Sequence, residues 1–185
     1  MGEPYSHDAT LQRLDNYLQY GDRMVFLSKE SFANGDAWNN IPVIFASVTN
    51  GMIHHPDFSA VDSGNLSDEY RFAGTVTNAK QPEVGNPRLD AVLNLTDAEA
   101  ELLARDGKLG ISTGFTANQI PEQNGNYRLV GDVVPNHVLV FAQGACPSCF
   151  PRDAGAVFLN TVGDSMSESD NETKGLLKTL IEKVD

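Results

Sequence analysis

The sequence predicts a compact β-barrel or α+β domain of many strands and one or two helices, followed by a flexible C-terminal tail. Three observations point there. Short apolar and β-branched runs recur from Met24 to Phe141 between Gly, Pro and Asn punctuation, the signature of many short strands. Only one segment carries a strong helix-start signal, so helices are few. After Asn160 the composition turns polar and acidic, so the part of the chain that can pack ends near there. At 185 residues there is material for one domain with a core, and too little for two generous ones.

Taken in order, Leu11–Leu18 has apolar residues at helical spacing and predicts a short, weakly amphipathic helix within an N-terminal segment, 1–23. Met24–Leu27 and Ile41–Ala46 read as strands, and Pro56–Glu69, rich in Asp, Ser, Gly and Asn, reads as loop. Arg71–Asn78 is a further strand, with Leu89–Leu95 as its expected antiparallel neighbour across a Pro/Gly/Asn turn. Thr96-Asp-Ala-Glu99 has the form of a capping box, with Thr96 as N-cap of a helix that runs through Ala104 and stops at Gly107. Leu109–Thr116, Tyr127–Val130 and Val138–Phe141 complete the strands of a folded domain spanning 24–160. Residues 161–185 form an acidic linker and a short amphipathic helix, with Leu176, Leu177, Leu180, Ile181 and Val184 on one stripe. Such a helix is marginal alone and calls for a partner surface.

The formal charge of −12 leaves no cation excess to replace counterions on a phosphate backbone, so nucleic acid is not an expected partner. It equally disfavours an anionic membrane surface, and no segment approaches the ~20 apolar residues of a membrane span. The polar start, Met1–Thr10, does not read as a secretory signal, and two cysteines are too few for a disulfide framework, so a reducing setting is expected.

Candidate chemistry rests on few residues. His54-His55-Pro56 follows an apolar run, His137 stands at the entrance of the last apolar strand, and Ser112 lies in Leu109-Gly-Ile-Ser-Thr-Gly-Phe115 between glycines. Small neighbours allow close approach of a backbone or a substrate. A serine hydroxyl becomes a nucleophile when a base takes its proton and a third group holds that base in one tautomer. One serine and two histidines at strand ends can supply all three parts. Asp57, Asp62 or Asp132 would be an acidic third member in place of His137. Cys146-Pro-Ser-Cys149 with nearby histidines offers a different chemistry, a Cys2His2 zinc site.

Read in order, Ile41-Pro-Val, His55-Pro56, Phe72-Ala-Gly-Thr-Val-Thr-Asn78, Leu95-Thr-Asp-Ala-Glu99, Leu109-Gly-Ile-Ser-Thr-Gly-Phe115 and Pro135-Asn-His-Val-Leu-Val140 resemble one family. It is the prohead maturation serine proteases of tailed viruses, the group once catalogued as a phage domain of unknown function. The resemblance covers roughly residues 24 to 151. It implies an α+β fold similar to herpesvirus assemblin, a small β-barrel flanked by helices, and a serine endopeptidase with a Ser-His-His triad. Ser112 would be the nucleophile, His55 the general base and His137 the member that orients it, while His54 would be dispensable. The family's Gly-Arg-x-Gly-like turn is here Gln143-Gly-Ala-Cys-Pro-Ser-Cys149, whose backbone N–H groups would serve the oxyanion. No cofactor is implied. Substrates would be scaffold protein, the removable part of the major capsid protein, and the chain itself, inside an immature capsid in the host cytoplasm. Self-association through the C-terminal helix is a further expectation. The alternative within this resemblance is a non-catalytic scaffolding protein on a protease-like fold.

Overall fold

In the computed structural model, residues 5–20, 23–47, 53–85, 87–143 and 156–157 are described. Their backbone is dominated by one nine-stranded sheet: β1 (Tyr5–Arg13), β2 (Asn16–Tyr20), β3 (Arg23–Leu27), β4 (Pro42–Ala46), β5 (Tyr70–Lys80), β6 (Arg88–Leu95), β7 (Leu109–Pro121), β8 (Tyr127–Ala142) and β9 (Ala156–Val157). Two α-helices, α1 (Phe58–Ser63) and α2 (Ala98–Arg105), and two 3-10 turns at Lys29–Phe32 and Gly35–Trp38 join them.

The strongest period-two pattern is β6, where Leu89, Ala91, Leu93 and Leu95 are buried and the intervening residues are not. It pairs antiparallel with β5, as its alternation predicts, and on its other edge with β1. β4 lies between β5 and β8, antiparallel to the first and parallel to the second. The β4 and late β8 runs do not alternate because both of their faces are covered. Val43, Phe45, Val138 and Val140 enter the main core, with Phe32, Trp38 and Phe115. Ile44, Ala46, Leu139 and Phe141 enter a second cluster on the opposite face, under Ile53, Leu66 and Tyr70.

Several expectations change. The sheet is open, not a closed barrel. The sixteen-residue β8 carries β7 along its length, and also pairs with β4 at Val138–Val140 and with β3 at Tyr127–Arg128. The sheet therefore branches at β8. Between β1 and β7, Thr113 Oγ1 donates to Gln12 Oε1 at 2.9 Å in a buried side-chain bond, and the described residues show no ladder joining the two strands. The stretch Leu11–Leu18 is strand, not helix. Leu11, Leu14 and Leu18 are all buried, but a register shift after Thr10 and the left-handed Asp15 (φ 53°) reset the strand phase, imitating helical spacing. The loop expected from Pro56 to Glu69 contains α1, with Asp57 accepting from Ser59 N. The cap of α2 is Asp97, one residue after the expected Thr96, and its carboxylate accepts from the N–H groups of Glu99 and Ala100. Glu99 does not close a capping box; it meets Arg71, which also pairs with Asp97. The linker and helix expected in 161–185 lie outside the described residues.

Candidate active site

Antiparallel pairing of β7 with β8 sets Ser112 opposite Leu139 and Gly114 opposite His137. Residues opposite one another share a face, and so do residues two apart along a strand. Ser112 and His137 therefore project on the side of Leu139 and the second cluster, while Thr113 and Val138 project into the main core. Over that side runs the segment from Ile53 to α1. Pro56 within it is buried, which fixes the path of the residue before it.

That residue is His55. Its Nε2 lies 2.7 Å from Ser112 Oγ and its Nδ1 lies 2.7 Å from His137 Nε2. The three residues named from the sequence thus stand in one hydrogen-bonded line, serine to histidine to histidine. Ser112 is 9% exposed, His137 is fully buried and His55 is partly so. Phe58 from α1 stands edge-on to the His137 ring, with centroids 5.2 Å apart. Burial lowers His55 from 6.5 to about 3, and the adjacent His137 adds to the effect. Burial also lowers His137, to about 4, with the Asp62 charge pulling the other way. Both rings are neutral at neutral pH, so His55 is unprotonated as a base must be.

The other candidates fall elsewhere. His54 is exposed, and its backbone carbonyl accepts from the Tyr70 hydroxyl. Asp57 caps α1, and its bonds from Ser59 hold its carboxyl below the usual range. Asp132 is exposed on β8. Asp62 does not touch either histidine by hydrogen bond; it accepts from Asn136 Nδ2 at 2.7 Å, and Asn136 Oδ1 is 2.8 Å from His137 Nδ1. Asn136 belongs to the Pro135-Asn-His-Val-Leu-Val140 motif, but its residue type gives no sign of a partner 74 positions away. Cys146, Cys149 and the turn expected to serve the oxyanion, apart from Gln143, lie outside the described residues. Among the described residues, no group of three His, Cys, Asp or Glu side chains is arranged to hold a metal ion.

The glycines flanking Ser112 make room for rings from β8. A Cβ on Gly114 would stand 2.6 Å from His137 Nε2, and one on Gly110 would stand 2.6 Å from the Phe141 ring. What approaches closely is a ring from β8 in each case. Gly114 is part of the site because the imidazole lies flat against its backbone.

An open groove of about 890 Å³ bordered by Asp8, Thr10, Lys80, Arg88 and Asp90 is separate from these residues. Its Asp90 carboxylate is already engaged by Thr10 and Arg88. Comparison with protein-family models, with curated proteins and with solved structures finds no match to this chain.

Proposed function

We propose that this chain is a serine endopeptidase acting in viral capsid maturation, on scaffold protein, capsid protein and itself. The observation that carries the catalytic part is the Ser112–His55–His137 line, with both bonds at 2.7 Å. The assignment to capsid maturation and to an assemblin-like fold rests on the motif resemblance described above.

In the reaction, His55 Nε2 takes the Ser112 proton as Oγ bonds to the scissile carbonyl carbon. The resulting imidazolium returns that proton to the leaving amine as the C–N bond breaks, leaving an acyl-serine. Water then attacks the acyl carbon, gives its proton to His55, and Ser112 leaves with that proton as the acid product departs. His137 accepts from His55 Nδ1 throughout. A histidine held near 3 is a weak base, and a neutral third member stabilises imidazolium less than a carboxylate would. Slow turnover follows, which suits an enzyme that cuts a few sites once per assembly.

The test is active-site labelling of the full chain with a fluorophosphonate, together with mass spectrometry of the chain over time. Wild type is expected to be labelled on Ser112 and to shorten, and Ser112→Ala to do neither while keeping its circular dichroism and thermal transition. A folded wild type that neither labels nor shortens, and leaves capsid and scaffold proteins uncut, would support the non-catalytic scaffolding reading instead.

A further inference from the structure

The hydrogen-bonded line does not end at His137. It continues through Asn136 on β8 to Asp62 on α1, five side chains in all. Its direction can be worked out from the far end. An ionised carboxylate only accepts, so Asn136 must turn its amide nitrogen, not its oxygen, to Asp62. That leaves Asn136 Oδ1, another acceptor, facing His137 Nδ1 at 2.8 Å, so Nδ1 carries the proton. The neutral His137 ring then has a bare Nε2, which accepts from His55 Nδ1–H. The neutral His55 ring in turn has a bare Nε2, aimed at the Ser112 hydroxyl.

Each step forces the next, and the last is the one a general base needs. Two neutral histidines in series have no polarity of their own. Run backwards, the same five groups would place an Nε2–H on His55 pointing at Ser112 Oγ, with no lone pair to take its proton. A neutral imidazole left to itself favours the Nε2–H form, the wrong one at both rings. Something must bias the pair, and the Asp62 carboxylate is the group at the end of the line that cannot donate.

We propose that Asp62 and Asn136 are positioning residues that set the tautomers of both His137 and His55 and so keep His55 Nε2 free for Ser112. Neither touches the reacting atoms. This rests on the endopeptidase reading for its consequence, and on geometry alone for the tautomers. The groups facing His137 are His55 from the covering segment, Phe58 and Asp62 from α1, Gly114 from β7 and Asn136 from its own strand.

The test uses the full chain with 15N-labelled histidine at neutral pH, in parallel with the rate of fluorophosphonate labelling at Ser112. In wild type, His137 is expected to show a pyrrole-type Nδ1 and a pyridine-type Nε2. In D62N the new amide can donate as well as accept, so Asn136 is free to turn over. The expected result is loss or reversal of that signature and a labelling rate down by about tenfold, a modest figure because the Asp62 end is exposed to competing water. The exchange variant D62N/N136D puts a carboxylate directly on His137 Nδ1 and an amide behind it, which restores the direction. Its rate is expected to return to within about twofold of wild type. The proposal is overturned if wild-type His137 is protonated on Nε2, if D62N changes neither signature nor rate, or if the exchange variant stays as slow as D62N. The two readings separate cleanly. The expected tautomers without any labelling would support the relay and count against the hydrolase, and labelling with the opposite tautomers would do the reverse.

Discussion

Gly114 shows how a single absent methyl shapes the site. The His137 imidazole lies against its backbone, where a Cβ would come within 2.6 Å of Nε2, the atom that meets His55. Gly114→Ala is therefore expected to tilt the ring and break the His55–His137 bond, cutting Ser112 labelling by about tenfold or more, as loss of a positioning contact does. Gly110→Ala makes the same kind of collision with Phe141 instead. Both substitutions overpack a tight strand pair and should cost about 1–3 kcal/mol in urea denaturation. Only Gly114→Ala should change the labelling rate per folded molecule; equal labelling in the two would show that the ring contact at Gly114 has no part in the site. Residue types and places near strand ends brought Ser112, His54, His55 and His137 forward from the sequence, while the choice of His55 over His54, and of His137 over an aspartate, rested on the motif resemblance. The role of Asn136 was not legible, because its partner Asp62 is 74 residues away and no local pattern links them.

Among the elements, α2 was the most legible, since a hydroxyl or carboxylate before an apolar-periodic run marks a helix start. The cap fell on Asp97 instead of Thr96 because Asp97 meets two demands at once. It accepts from the first-turn N–H groups and pairs with Arg71 across the sheet, and the Arg71 bonds hold its carboxyl below the usual range. Asp97→Ala should cost about 1–2 kcal/mol through the lost cap, measured by chemical denaturation at pH 7. Because the folded-state value is depressed, that stability is present above the unfolded carboxylate range and lost as pH falls through the folded one. The β1–β2 segment was the least legible. Leu11, Leu14 and Leu18 are buried there, but the left-handed Asp15 and the shifted register of β1 change the phase of a strand. A period count cannot distinguish that from a helical turn.

For the molecule as a whole, two buried neutral histidines link folding to acid. Their folded values, about 3 and about 4, lie below the ordinary 6.5. Between those limits the unfolded chain binds protons that the folded chain refuses, so stability falls as pH drops from about 6.5 and levels off below the folded values. For His137 alone the full effect is about 3 kcal/mol, at 1.36 kcal/mol per unit. Urea denaturation at pH 7, 5.5 and 4.5 should show this decline before most carboxylates titrate. His137→Gln keeps an acceptor for His55 and removes one titrating ring, so its decline should be shallower; an identical pH dependence would mean His137 is not buried in neutral form.

Residue order alone was enough to identify most of the strands from β3 to β8, the helix after Leu95, and a serine and several histidines from which a nucleophile and its base could be drawn. These follow from local physics: alternation, caps and the chemistry each side chain can perform. The open, branched sheet, the strand phase before Met24, the imidazole lying on Gly114 and the path from His137 through Asn136 to Asp62 depend on the folded chain. Each turns on which strand edge or side chain meets which across tens of residues. Periodicity reports that a residue is buried, while tertiary contact decides what it is buried against and which way its hydrogen bond points.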